Sequence, residues 1–409
     1  MASAAPRGSI GAKLLARLLC VGAIALAFGV AGVGADVDLP SPDSITPANV
    51  TLNLGKGSSA AVPSTLHLNA APPKADVLLA LDTTGSMGGL IEGAKRRIWS
   101  IARRVGEGRP RPDLRIGLVA YRDKGDEYVT RVFDLTADMD EVYRDLMSLQ
   151  AGGGGDTPEH VSAALSDAVH RVSWSEGPAL RVIFLVGDAP PHLDYQDGFD
   201  YRRHAREARQ RGIGVETIEC GVDPETARVW QEIASLGDGH FARIDANGGM
   251  PVQVTPMDAE LARLNGELAE TVVVAGSAPQ RAAALGKLAA RAAMPTAMAA
   301  EAAGYFASTG RLAEKDVVDL PAPDQKKALE AWRRAPQDAP SALAGKGETE
   351  ALAYLQKQKE RRERLQARIV ELQGQRDALL SRTGAQKDGF DEQVISSLRA
   401  RASALGISY

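Results

Sequence analysis

One carboxylate and two hydroxyls occur at alternating positions directly after an apolar run. They belong to Asp82, Thr84 and Ser86, and the run is residues 77–81. A continuous aliphatic run is typical of a buried parallel strand, and open α/β sheets bind ligands at the carboxyl ends of their strands. A helix is predicted next, over residues 90–105. Because oxygen ligands suit Mg²⁺ and similar hard cations, this segment predicts metal-binding chemistry at one edge of a sheet.

Two further segments extend this predicted site. A glycine-rich loop, residues 151–155, precedes Thr157 and a helix predicted over residues 160–174. Glycines allow a backbone to approach a site closely, so Thr157 is placed to enter it. A second aliphatic run, residues 180–187, is followed by Asp188, just as the first run is followed by Asp82. The three segments are therefore expected to meet at the carboxyl edge of the sheet.

The three segments together resemble the metal-ion-dependent adhesion site of von Willebrand factor type A domains, the module also found as the integrin inserted domain. The resemblance covers about residues 75–245. All three elements in order are a far more specific signal than D-x-T-x-S alone. The positions that fill the motif are Asp82, Thr84 and Ser86 in the first element, Thr157 in the second and Asp188 in the third, with no departure.

The resemblance implies how these residues work. The hydroxyls of Thr84, Ser86 and Thr157 would touch the metal, and the two aspartates would act partly through water. A cation with few direct carboxylates stays electrophilic, so it would take a further ligand from an Asp or Glu of a protein partner. The implied cofactor is Mg²⁺, with Mn²⁺ or Ca²⁺ as alternatives. The implied function is metal-dependent capture of a protein partner rather than catalysis.

Strands and helices alternate through this part of the chain. This alternation predicts an α/β fold, a doubly wound parallel sheet with one antiparallel edge strand, over residues 75–246. The edge strand is predicted over residues 127–135, in a hairpin with a strand at 114–121. The other predicted elements are helices at 138–150, 201–211 and 224–236 and strands at 214–220 and 240–244.

After this domain the composition shifts to Ala, Glu, Arg, Gln and Leu, which predicts a helical region over residues 257–409. Helices are predicted at 257–271, 279–303, 324–334 and 348–381. The longest carries a heptad-like seam of Leu365, Ile369, Leu372 and Leu379, which favours coiled-coil character around 348–381. Lys359 and Arg362 interrupt the seam upstream, so pairing between chains, a helical hairpin and docking on neighbouring helices all stay open.

The first 35 residues have the pattern of a signal peptide. Arg7, Lys13 and Arg17 precede the uncharged apolar stretch 18–34, and small residues end at Ala35, where cleavage is predicted. We therefore expect an exported protein, periplasmic or extracellular and bacterial by composition. The alternative is a membrane anchor, since the apolar stretch approaches spanning length.

The predicted linker, residues 36–74, is rich in Pro, Ser and Ala. Two alternating segments, 49–54 and 65–69, favour a β-hairpin over a disordered stalk. After cleavage at the predicted site, Cys220 is the remaining cysteine, and it is expected to be a buried small hydrophobe.

Bulk composition excludes one class of partner. The 409 residues carry 48 Lys and Arg against 52 Asp and Glu, a net charge of −4, which leaves no basic footprint for nucleic acid. Hydrophobic residues make up 44%, which is ordinary for a water-soluble fold. Length alone predicts two or three folded units.

Several polar residues lie near the predicted site in sequence. Asp123 and the pair His192 and Asp194 could support metal-bound water or face a partner, and Asp156 is predicted to orient the glycine-rich loop. A metal-dependent hydrolase is one alternative function, with His192 or Glu159 as base, but the chain lacks H-E-x-x-H, G-x-S-x-G and a P-loop. An accessory subunit of a nucleotide-driven machine is another. The predicted leader argues against it, because such subunits work in the cytoplasm.

Overall fold

The computed structural model describes residues 72–155, 157–246, 254–382 and 390–408, with the side chains of Phe390 and Asp391 excepted. The predicted signal peptide, both segments of the predicted linker hairpin and Asp156 lie outside these residues. Among the helices described, none combines the length and the apolar character that a membrane span needs.

A six-stranded sheet forms the centre of the described fold, in the order β3-β2-β1-β4-β5-β6. All neighbouring strands are parallel except β2 and β3, which are antiparallel. The predicted α/β sheet with one antiparallel edge is therefore confirmed. The strands are β1 Lys74–Asp82, β2 Asp113–Tyr121, β3 Thr130–Thr136, β4 Ala179–Gly187, β5 Gly214–Cys220 and β6 Phe241–Ile244.

The strand order reverses at the pair β1 and β4. Strands β2 and β3 extend the sheet from one side of β1, whereas β5 and β6 extend it from the far side of β4. In open α/β sheets such a reversal leaves a crevice at the carboxyl ends of the two central strands. Asp82 ends β1 and Asp188 directly follows β4, so both carboxylates lie at this crevice.

Both faces of the sheet are buried. Successive side chains of β1 alternate between two hydrophobic clusters, with Val77 and Leu79 in one and Leu78 and Ala80 in the other. The first face is covered by α1 Gly88–Gly106 and α2 Met139–Ser148, and the second by α3 Val161–His170, α4 Tyr201–Gln210 and α5 Pro224–Leu236. Burial on both sides explains why the central strands are continuous aliphatic runs.

The edge strand begins later than the sequence predicts. It starts at Thr130 rather than at residue 127. Asp126 accepts hydrogen bonds from the backbone N–H groups of Asp123 (3.2 Å) and Gly154 (3.0 Å). Local side-chain hydrogen bonds of this kind compete with a sheet ladder, so the residues before Thr130 form a turn.

The helical region contains α6 Asp258–Ala269, α7 Ala278–Ala292, α8 Thr296–Thr309, α9 Ala322–Arg334, α10 Glu348–Arg382 and α11 Phe390–Ala402. The single helix predicted over residues 279–303 is wrong, because α7 ends at Ala292 and α8 begins at Thr296. Pro295 stands between them and caps α8. Proline has no N–H and clashes with the preceding helical turn, so a helix that continued through Pro295 would be strongly disfavoured.

Three of the four residues of the heptad-like seam of α10 are buried within the chain, and the fourth, Leu379, is half-buried. Leu365, Ile369 and Leu372 are at most 9% exposed and belong to the cluster that contains the first face of the sheet. Docking on neighbouring helices is thus the arrangement that the structure takes, and these three residues are covered without a second chain. The residues that the structure describes belong to one compact unit.

Arg362, which interrupts the seam in sequence, is also buried. Its guanidinium donates to Thr271 Oγ1 (3.1 Å), to the Thr271 carbonyl oxygen (3.1 Å) and to Asp316 Oδ2 (2.6 Å). A buried guanidinium is tolerated when its donors are satisfied and a carboxylate neutralises it. The interruption in the seam is therefore a polar contact with a distant part of the helical region.

Candidate metal centre

The turn after β1 gathers the first three predicted ligands. Asp82 Oδ1 accepts hydrogen bonds from Thr84 N (2.8 Å) and Thr84 Oγ1 (2.7 Å). Thr84 Oγ1 in turn lies 3.3 Å from Ser86 Oγ. Asp82 and Thr84 are buried, whereas Ser86 is exposed. The three oxygen-bearing side chains thus lead from the interior of the fold to its surface.

Backbone hydrogen bonds join the three loops that carry the predicted ligands. They connect the turn after β1 to the glycine-rich loop, and the residues just before α3 to the loop after β4. Loops tied to each other through main-chain groups hold their side chains in place better than isolated loops do. The bonds run from Gly85 N to Gly153 O (3.2 Å), from Gly152 N to Thr83 O (3.1 Å) and from Glu159 N to Pro190 O (3.0 Å).

The other two predicted ligands lie on these loops. Asp188 is half-buried and close enough for its carboxylate to raise the pKa of Asp82. Thr157 is exposed, three residues after Gly154, whose backbone lies against Thr84. Among the described residues no hydrogen bond joins Thr157 to the other four. The structure therefore places four of the predicted ligands at the β1–β4 crevice and Thr157 on the adjoining loop.

The state of Asp82 tests whether these residues suit a metal. Its Oδ2 atom is buried, and no group among the described residues donates a hydrogen bond to it. Burial raises the pKa of Asp82 to about 7, and Asp188 adds to the effect. A buried carboxylate oxygen without a proton donor is stabilised by a cation, and the surrounding donors are hydroxyl and carboxylate oxygens. The residues present therefore fit a hard divalent cation.

Glu159 adds a further carboxylate that the motif did not include. It is 3% exposed, and its Oε2 atom has no hydrogen-bond partner among the described residues. Burial, followed by the charges of Asp82, Asp123 and other carboxylates, raises the pKa of Glu159 to about 9. The sequence predicts a role for Glu159 only as the base of the alternative hydrolase. Its position two residues after Thr157, at the start of a helix, was the available signal that it belongs to the site.

Residues of the loop after β4 support the site from one side. Tyr195 OH donates to Asp123 Oδ2 at 2.7 Å. The His192 ring stacks on the Tyr195 ring with centroids 4.0 Å apart, and its Nδ1 pairs with Asp194 Oδ1 at 2.8 Å. Asp123, His192 and Asp194 thus belong to one network that ties this loop to the end of β2.

The comparison with known families agrees with this geometry. Residues 77–199 match a family model described as "von Willebrand factor A domain". The chain contains a von Willebrand factor A domain. The predicted resemblance is confirmed to that extent, whereas the adhesion-site motif, export and a bacterial source stay predictions.

Relatives of this domain occur in longer proteins. "Von Willebrand factor A domain-containing protein 7" of Rattus norvegicus is 35% identical over 177 residues, which cover 42% of this chain and 18% of the relative. The Homo sapiens protein of the same name is 34% identical over 119 residues, covering 29% and 12%. The chain therefore spans less than a fifth of the length of these relatives.

Among solved structures, an aerotolerance-related membrane protein from Bacteroides fragilis, crystallised with multiple mutations to serines, is 21% identical. The match covers 43% of this chain and 94% of that one, with a TM-score of 0.31.

Two adjacent glycines of the loop before Thr157 give a matched test of the site. Gly154 has φ +67°, and a Cβ there would lie 2.7 Å from Thr84 Cβ and 3.0 Å from Glu159 Oε1. A Cβ on Gly155 would meet nothing within 4 Å. We expect Gly154→Ala to lower the free energy of unfolding by at least about 1–2 kcal/mol through left-handed strain and to weaken Mg²⁺ binding by displacing Thr84.

The control for this test is Gly155→Ala, which is expected to change the free energy of unfolding by less than about 0.5 kcal/mol. Urea unfolding and calorimetric titration with Mg²⁺ measure both variants. If the two alanine variants behaved alike, the close approach of the loop to Thr84 would have no bearing on the site.

Proposed function

We propose that this protein is a binding module that captures an acidic surface of a protein partner through a divalent cation. The residues that would hold the cation are Asp82, Thr84, Ser86, Thr157 and Asp188, and the cation is Mg²⁺, with Mn²⁺ or Ca²⁺ as alternatives. The observation that carries the proposal is the buried Oδ2 atom of Asp82, which lacks a hydrogen-bond donor in a site of oxygen ligands.

Two of the five proposed ligands are exposed to solvent, which supports binding of a partner at the protein surface. Asp82 and Thr84 are buried and are held by their own hydrogen bonds, whereas Ser86 and Thr157 face solvent. Asp82 and Asp188 would supply negative charge, and the three hydroxyls would supply neutral oxygens. When bound, the cation would supply an open coordination position to a carboxylate oxygen of the partner. Such a contact strengthens as water is excluded, because charge interactions grow when the local dielectric falls.

The surface around the site supports a protein partner over a small substrate. Leu193 and Phe199, in the loop after β4, are 63% and 40% exposed, and Val222, after β5, is 78% exposed. These loops follow parallel strands of the sheet and therefore lie at the same edge as the metal ligands. Exposed apolar side chains around a polar centre are typical of protein interaction surfaces. We propose an Asp or Glu flanked by apolar residues as the feature recognised.

The proposal extends to location and to the type of activity. We propose that residues 1–35 direct export, so that the partner lies in the periplasm or outside the cell. We also propose that the site binds and does not catalyse.

A pair of peptide libraries tests the proposal without knowledge of the partner. One library carries a single Asp or Glu in an otherwise varied sequence, and the other carries Asn or Gln at that position. With Mg²⁺, the wild-type protein is expected to enrich the carboxylate library, and EDTA or Thr157→Ala is expected to remove the enrichment. The side chain of Thr157 is exposed, so its loss should leave the sheet intact, as circular dichroism would verify.

Thr349→Ala is the matched control, since Thr349 is an exposed threonine of α10. It is expected to retain the full enrichment. Equal recovery of the two libraries by the wild-type protein, or enrichment that persists in EDTA, would mean that the metal does not bridge a carboxylate. A hydrolytic activity that depends on Mg²⁺, with no selection between libraries, would favour the hydrolase instead.

A further inference from the structure

Two imidazoles and a carboxylate meet where the end of α3 packs against α4. Glu207 Oε2 accepts hydrogen bonds from His170 Nε2 (2.9 Å) and from His204 Nδ1 (3.0 Å). The three atoms all lie within 4.8 Å of one another. Helix α3 has ten residues, so His170 at its end lies about 15 Å along the helix from the cluster of carboxylates at its start. This group is therefore separate from the metal centre described above.

Secondary structure places these side chains together. His204 and Glu207 are three positions apart on α4 and so share one face of the helix. His170 is the last residue of α3, where the helix dipole is negative and favours a cation. The His204 side chain is 3% exposed, whereas those of His170 and Glu207 are 46% and 32% exposed. The cluster thus has a buried floor and an opening to solvent.

The protonation of the group is suited to metal binding. Burial lowers the pKa of His204, which favours the neutral imidazole. Burial acts to raise the pKa of Glu207, but the hydrogen bonds from His170 and His204 outweigh it and lower that pKa. Neutral imidazole and ionised carboxylate are the forms that coordinate metals.

We propose that His170, His204 and Glu207 form a second metal site, selective for Zn²⁺ or a similar borderline cation, that links α3 to α4. Two imidazole nitrogens and one carboxylate oxygen suit Zn²⁺, Cu²⁺ or Ni²⁺ rather than Mg²⁺. Three protein ligands leave one tetrahedral position for water. The inference does not depend on the proposed capture of an acidic partner.

Arg203 modulates this site. Its Nη2 atom lies 3.2 Å from His204 Nε2 and donates to the Gly198 carbonyl oxygen at 2.7 Å. When His204 Nδ1 binds a metal, Nε2 carries the proton and faces this guanidinium, which must then move away. The Arg203 side chain is 53% exposed and can do so. Arg203 is therefore expected to weaken Zn²⁺ binding.

The test is calorimetric titration of the full chain, purified with an affinity tag that lacks histidine, with Zn²⁺ in excess Mg²⁺. Mg²⁺ is added to occupy the oxygen-ligand site, so that Zn²⁺ reports on the imidazole site. We expect one saturable Zn²⁺ site in the wild-type protein. His170→Ala should weaken it by more than the roughly 10–100-fold loss that follows removal of an outer-shell partner. Co²⁺ in place of Zn²⁺ should give visible absorption bands that His170→Ala removes.

His240→Ala is the matched control, because His240 also pairs with a carboxylate, Glu216, but without a second imidazole. It should bind Zn²⁺ as the wild-type protein does, and Arg203→Ala should bind it more tightly. The proposal is overturned by the absence of saturable Zn²⁺ binding or by equal affinity in wild type and His170→Ala. Weaker binding by Arg203→Ala would contradict coordination through His204 Nδ1.

Discussion

Millimolar Mg²⁺ is expected to raise the melting temperature of the wild-type protein, and Asp82→Asn is expected to abolish the rise. A ligand that binds only the native state stabilises it by about 2.7 kcal/mol at a concentration 100 times its dissociation constant. Asn keeps the shape of Asp82 and an oxygen for the hydrogen bonds from Thr84, but it removes the charge. Differential scanning calorimetry at several Mg²⁺ concentrations measures both proteins.

Without metal, the stability difference between the wild-type protein and Asp82→Asn is expected to disappear or to reverse. The pKa of Asp82 is raised from 3.8 to about 7 in the fold, so the folded state binds the proton more tightly than the unfolded state. A carboxyl group shifted in this direction reduces stability as the pH rises through this interval, and above pH 7 the full cost is present. In EDTA at pH 8, Asp82→Asn is therefore expected to be at least as stable as the wild type. If Asp82→Asn were less stable than the wild type in EDTA, the buried charge of Asp82 would not destabilise the folded state.

Arg376→Met is expected to lower the free energy of unfolding by about 3–5 kcal/mol, because it removes the guanidinium that pairs most closely with two buried carboxylates. Glu301 would keep only the longer contact with Arg97, at 3.8 Å, among its ion pairs with described residues. Arg376 Nε donates to Asp258 Oδ1 at 2.8 Å, and its Nη1 donates to Glu301 Oε1 at 2.7 Å. All three side chains are at most 4% exposed. The group joins α10 to α6 and α8, so its loss should loosen the helical region. Urea unfolding followed by circular dichroism gives the difference.

Arg368→Met is the matched control on the same helix. Arg368 pairs with Glu371 at 2.7 Å, but these side chains are 47% and 57% exposed. Exposed ion pairs contribute about 0–1 kcal/mol, so the control should unfold nearly as the wild type does. Combining Arg376→Met with Asp258→Asn and Glu301→Gln should recover much of the lost stability. If Arg376→Met and Arg368→Met lost equal amounts of stability, the buried ion pairs of Arg376 would contribute no more to stability than an exposed ion pair.

The sequence was sufficient to predict the sheet and most of the site because both depend on short segments. Each central strand is an aliphatic run, and Asp82 and Asp188 mark where two of them end. Asp82, Thr84 and Ser86 are two residues apart, so their spacing alone predicted that their oxygens lie close together. The order of the strands then brought the carboxyl ends of β1 and β4 together.

The features that the sequence did not predict depend on contacts between distant segments. Glu159 belongs to the site because its backbone pairs with Pro190 in another loop. Arg362 interrupted an apolar seam in sequence, yet it is buried because Asp316 lies opposite it. The His170, His204 and Glu207 cluster needs two helices to pack together. The break at Pro295 is different, because the proline itself was a local signal that the helical composition around it outweighed.

The packing around Trp99 joins the sheet domain to the helical region. Trp99 of α1 is fully buried, and its ring contacts Tyr143 of α2 and also Tyr305 and Phe306 of α8, with centroids 5.2–5.7 Å apart. Two of these three aromatic neighbours of Trp99 therefore come from beyond residue 246. A protein truncated at residue 246, the domain boundary that the sequence predicts, would expose part of the Trp99 indole to solvent. Exposed apolar surface of this kind promotes aggregation. The von Willebrand factor A domain of this chain therefore shares one hydrophobic core with the helices that follow it.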